Sequence, residues 1–184
     1  SLEEVVDKLR RDSEESLKKN ETVLRRVTKE LTELLKRWRE ASERLKEELR
    51  EVLERVRKKG LEEREVRKLE DRLRRLLEED KRLLDEVKRR IEDLRKKWED
   101  ETRKVKERHE DLLRKIEEVR KRGTTEDTLR KLAEEVKRVV RDDEEKVKRL
   151  EEEVKEEVKK LEDDLRRSEE RVERTIREIE KRAK

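Results

Sequence analysis

Cysteine, proline, methionine, phenylalanine, tyrosine and glutamine are all missing from this 184-residue chain. Without cysteine there is no disulfide, no thiolate zinc site and no sulfur nucleophile. Without proline, no helix is broken by a residue that lacks an N–H and fixes φ. Glycine occurs only at Gly60 and Gly123, tryptophan only at Trp38 and Trp98, histidine only at His109. No segment approaches the roughly 18–20 consecutive apolar residues of a membrane span, and no signal peptide is visible. The expectation is a soluble chain, compatible with cytoplasmic expression, that has no membrane partner.

What fills the sequence is charge. Asp, Glu, Lys and Arg make up 63% of it, and apolar residues only 28%. Soluble domains average about 25% charged and about 45–50% apolar. Such a balance often marks disorder, but here the apolar residues are strongly periodic, which points to a long-helix bundle or coiled coil. The 60 basic and 56 acidic residues nearly cancel. Their signs alternate along the chain, and runs such as Lys121-Arg122 and Arg166-Arg167 sit beside acids. A nucleic-acid binder gathers its cations on one face, so no nucleic-acid partner is expected.

Both glycines follow cations: Lys58-Lys59 before Gly60, Lys121-Arg122 before Gly123. A glycine just past a cationic last turn is a helix stop, because it adopts the left-handed conformation cheaply and cations suit the negative helix end. Thr124-Thr125-Glu126-Asp127 then offers a hydroxyl cap with acids in the first turn. The segment Leu61-Glu62-Glu63 has acids but no obvious side-chain cap. Three helices are predicted, near 2–58, 62–121 and 126–182, in one domain spanning residues 1–184. Each would be about 85 Å long at 1.5 Å per residue. Short connections predict antiparallel neighbours. Apolar steps of three and four alternate through Leu24, Val27, Leu31, Leu34, Leu35 and Trp38, through Leu83, Val87, Ile91, Leu94 and Trp98, and through Val147, Leu150, Val154, Leu161 and Leu165. That spacing predicts left-handed, coiled-coil-like packing. The fold expected is therefore all-α: an up-down-up antiparallel three-helix bundle. Two to three apolar residues per heptad feed one core and leave little for a second apolar face, so a monomer is expected, with a homo-oligomer or a domain swap as the alternatives.

Neutral polar residues are rare, and most fall where the stripes call for Leu or Val. Antiparallel pairing about Gly60 and Gly123 brings Ser13, Ser16, Asn20, Thr102, His109 and Asp143 within about two helical turns of one another. The same pairing sets Ser42, Asp80 and Ser168 at one level, with Asp164 and Trp38 close by. An unpaired buried polar group costs about 1–3 kcal/mol. Placing several at one level lets donors and acceptors satisfy each other, and wrong registers would leave them unpaired. Arg90 and Glu157 interrupt the stripes at a further shared level beside Thr32.

These residues invite chemical readings. Ser13 or Ser16 with His109 and Asp143 has the composition of a Ser-His-Asp set, but regular helix interiors have no free backbone N–H groups for an oxyanion hole. One His and one Asp fall short of the four ligands of a closed metal site. Asp80 and Asp164 could pair as two carboxylates, although Asp80 is better read as an acceptor for Ser42, Ser168 and the Trp38 indole. Trp38 and Trp98 are expected in the core with their N–H groups partnered. No catalytic residue, cofactor or metal is expected, and the polar residues are read as structural.

Six absent residue types, surfaces of strong helix formers, glycine-punctuated loops and clustered polar positions together resemble de novo designed three-helix coiled-coil bundles with buried hydrogen-bond networks. The resemblance covers the whole chain. It implies a thermostable scaffold without enzymatic activity, the polar layers fixing fold and register. An interaction module, either a designed oligomer subunit or a cage for a partner helix, is the second reading. A natural spectrin-like spacer is the third, and the missing residue types and the regularity oppose it.

Overall fold

Apart from a few residues around each glycine, the chain is helical. A computed structural model describes residues 1–182, so 183 and 184 of the expected bundle lie outside the described residues. The elements are α1 (Leu2–Lys58), α2 (Glu63–Arg122) and α3 (Glu126–Arg182), with no strand among the described residues. These three long helices pack against one another. Helix α2 starts and ends one residue later than the sequence predicts: at its start the Glu62 carbonyl accepts the N–H groups of Glu65 at 3.0 Å and Val66 at 3.1 Å, and at its end the Gly123 N–H donates to the Val119 carbonyl at 3.0 Å. Thr125 caps α3: its Oγ1 accepts the Thr128 N–H at 3.2 Å. Gly60 and Gly123 have φ of +68° and +74° and, among the described residues, are the only ones with positive φ.

Contacts divide the chain into two units, each built from all three helices. The first comprises residues 1–30 and 94–155. Its core includes Val6 and Leu9 of α1, Leu112 and Ile116 of α2, and Leu132 and Val136 of α3. Inter-helix ion pairs flank it, among them Arg26–Glu151 at 2.5 Å and Lys115–Glu135 at 2.8 Å. The second unit comprises 31–93 and 156–184. Its core joins Leu45, Leu49, Val52 and Val56 to Leu69, Leu73 and Leu76 and to Val172, Ile176 and Ile179.

The apolar stripes are not uniformly buried. Val27, Leu31, Leu34, Trp38, Val87, Ile91, Trp98, Leu150, Val154 and Leu161 are buried. Leu24, Leu35, Leu83, Leu94, Val147 and Leu165 are only partly so. With more than two apolar residues per heptad, those beside the central seam keep a solvent edge.

Candidate functional site

Buried polar side chains form two clusters, one in each unit. In the second unit the centre is Asp80, 5% exposed. The Ser42 hydroxyl donates to Asp80 Oδ2 at 2.9 Å, and the Ser168 hydroxyl donates to Asp80 Oδ1 at 3.3 Å. One carboxylate on α2 thus takes a hydroxyl from α1 on one oxygen and from α3 on the other. Because the helical rise is fixed, residues placed at one level by their distance from the turns meet at that level.

Two of the companions predicted for Asp80 do not bond to it. Asp164 pairs with Arg90, at 3.4 Å from Nη1, and the same guanidinium holds Glu157 through Nε at 2.9 Å and through Nη2. A cation within reach is a better partner for Asp164 than a second carboxylate. Burial pulls the Arg90 pKa down, but Glu157 and Asp164 outweigh it and hold the guanidinium above its ordinary value. Trp38 is 1% exposed and fills the core as predicted, but its Nε1 has no hydrogen-bond partner. Its indole packs as an apolar plate, and the two Asp80 oxygens are taken by the serines.

In the first unit the centre is His109, fully buried. Nδ1 lies 2.9 Å from the Val105 carbonyl oxygen and 3.3 Å from Asp143 Oδ2, while Nε2 lies 3.4 Å from Ser16 Oγ. Both neighbours of Nδ1 are acceptors, so Nδ1 carries the proton. It is aimed at the carbonyl, which leaves Asp143 Oδ2 without a hydrogen bond. The Arg108 guanidinium binds Asp143 Oδ1. Burial raises the Asp143 carboxyl above its usual range, even though Arg108 and His109 pull the other way.

Ser16, His109 and Asp143 stand in the order of a nucleophile, base and orienting acid. Their setting differs from a working triad. The Nδ1 proton serves the helix's own carbonyl, and the three side chains are 3%, 0% and 2% exposed. All three lie within continuous helix. Among the described residues no group of three or more His, Cys, Asp or Glu side chains is arranged to hold a metal ion.

Other members of the predicted first cluster take separate roles. Ser13 Oγ and Asn20 Nδ2 are buried with no hydrogen-bond partner. The Thr102 hydroxyl donates to the Trp98 carbonyl of its own helix at 2.7 Å, as hydroxyls within helices commonly do. Sequence reasoning missed Arg108 and the Glu101–Lys146 pair. Lys146 Nζ lies 2.8 Å from Glu101 Oε2, and this contact, ahead of the opposing effect of burial, holds the Glu101 carboxyl below its ordinary range. Beyond that ammonium no group meets Oε2, which keeps a lone pair open. Only their placement beside the stripe singles out such residues in a chain where most positions are charged.

Comparison with known proteins finds no match to a family model, a curated protein or a solved structure.

Proposed function

We propose that this chain is a designed structural scaffold without enzymatic activity, whose polar core positions specify fold and register. The observation that carries this reading is Asp80. A single buried carboxylate accepts one hydroxyl from each of the other two helices, and a slip of any helix by one turn, about 5.4 Å, would break at least one of these bonds and strand a buried hydroxyl. The residue alphabet, rich in strong helix formers, supports a designed origin.

An up-down-up order is part of the proposal. It is supported by ion pairs between α1 and α3, where Lys19–Glu144, Arg26–Glu151, Arg37–Glu162 and Arg55–Glu180 all keep the same sequence offset of 125 residues. A constant offset is what parallel helices give. Between α1 and α2, Arg57–Glu70 lies near Gly60 and Ser42–Asp80 lies further from it, as antiparallel helices require.

Light scattering coupled to size exclusion, with circular dichroism melts, tests the scaffold reading. The expected result is a single species near 22.9 kDa, nearly all helical, with a midpoint above about 60 °C, the upper range of ordinary domains. A lower midpoint would count against it. A species at a multiple of that mass would favour the interaction module instead.

A further inference from the structure

Three of the buried polar atoms without a hydrogen bond belong to residues that line one small cavity in the first unit. They are Asn20 Nδ2, Trp98 Nε1 and Glu101 Oε2. Asn20 and Trp98 are 6% and 3% exposed. The space open to the centre of a water molecule is about 10 Å³, walled elsewhere by Leu17, Val105 and Leu150. We propose that this cavity is a binding site for one water molecule, which accepts from Asn20 Nδ2 and Trp98 Nε1 and donates to Glu101 Oε2.

Size and chemistry both select this ligand. A buried water needs roughly 10–15 Å³ of such space and two to four polar partners. Anything larger does not fit. An anion would face the Glu101 carboxylate, and a cation would face two N–H donors beside the Lys146 ammonium. An apolar atom would leave the Asn20 and Trp98 N–H donors unsatisfied, at about 1–3 kcal/mol each. Water has two lone pairs for the two donors and two protons for acceptors. The second proton has a candidate in Thr102 Oγ1, whose residue lines the cavity. That hydroxyl spends its own proton on the Trp98 carbonyl and keeps its lone pairs. The same water explains why an asparagine stands in the apolar stripe at position 20 when no protein group meets its amide nitrogen. The site rests on these atoms alone and holds whether the chain is a scaffold or an interaction module.

Crystals of the intact chain and of an Asn20→Leu variant, diffracting well enough to show ordered water, test the proposal. The expected result is a density peak about 2.7–3.2 Å from Asn20 Nδ2, Trp98 Nε1 and Glu101 Oε2 in the parent, and its loss in the variant. A parent cavity with no peak, or Trp98 Nε1 bonded directly to a protein acceptor, overturns it. A peak that survives unchanged in Asn20→Leu overturns the role assigned to the amide. Because the parent alone decides the main point, a variant that fails to fold does not protect the proposal.

Discussion

Asp80 meets two hydroxyls, so deleting it and deleting the whole cluster are different perturbations. Asp80→Ala leaves Ser42 and Ser168 buried without an acceptor, and is expected to lower unfolding free energy by about 1–3 kcal/mol, since a stranded buried group loses its full hydration. The triple change Ser42→Ala, Asp80→Leu, Ser168→Ala removes donors and acceptor together and is expected to be neutral or stabilising. Guanidinium midpoints at unchanged m-value measure both. Asp143 adds a pH term. Burial raises its carboxyl above the usual range, so between the unfolded and folded values the native state binds more protons than the unfolded chain. Its contribution to stability is therefore present at low pH and lost as pH rises through the raised value. Melts from pH 7 to about pH 4 should show the parent gaining on Asp143→Asn as acid is added. A parent that loses ground would mean that its pairing with Arg108 dominates. The shared level of Ser42, Asp80 and Ser168 was legible, because rise per residue is constant, and the three met. Side-chain direction was not legible: Asp164 turned to Arg90, and Thr102 turned to its own backbone. Arg108 was invisible among 60 basic residues.

Each helix end reflects a local rule, and the ends were the most readable part of the chain. Two glycines behind cationic turns announced two stops, and both have the left-handed φ that makes glycine the cheapest residue there. A Cβ added at either position would meet nothing within 4 Å. Gly60→Ala and Gly123→Ala should therefore cost only the backbone term, about 1–2 kcal/mol each. The N-terminal ends of α2 and α3 differ. Thr125 supplies its hydroxyl to Thr128, whereas Glu62 offers α2 only its backbone carbonyl. Thr125→Ala should lose about 0.5–2 kcal/mol, and Glu62→Ser should gain part of that amount, because serine is a good N-cap. Urea titrations of the two variants should move in opposite directions. Helix extent and apolar periodicity followed from the same grammar. The partial burial of Leu24 or Leu83 did not, since periodicity marks a face without saying how far round it neighbouring helices reach.

At the scale of the whole molecule the two units differ in how well their interiors are satisfied. Among the described residues, seven buried side-chain polar atoms lack a hydrogen bond, and six of them belong to the first unit: those of Ser13, Asn20, Trp98, Glu101, Arg108 and Asp143. The second unit has only Trp38 Nε1. A water at the Asn20 cavity would satisfy three, and the imbalance would remain.

Unsatisfied polar groups lower the free energy needed to open a segment locally, so the His109 unit should breathe more often. Amide protons near Val105 and Leu112 should exchange with deuterated solvent faster than those near Val52 and Leu73. The two indoles give an optical version of the comparison, because each unit contains one buried tryptophan. In single-tryptophan variants, Trp98 fluorescence should change at a lower denaturant concentration than Trp38 fluorescence. A chain built from nearly one repeated pattern would then have a weak unit and a strong unit, set by where its polar residues were placed.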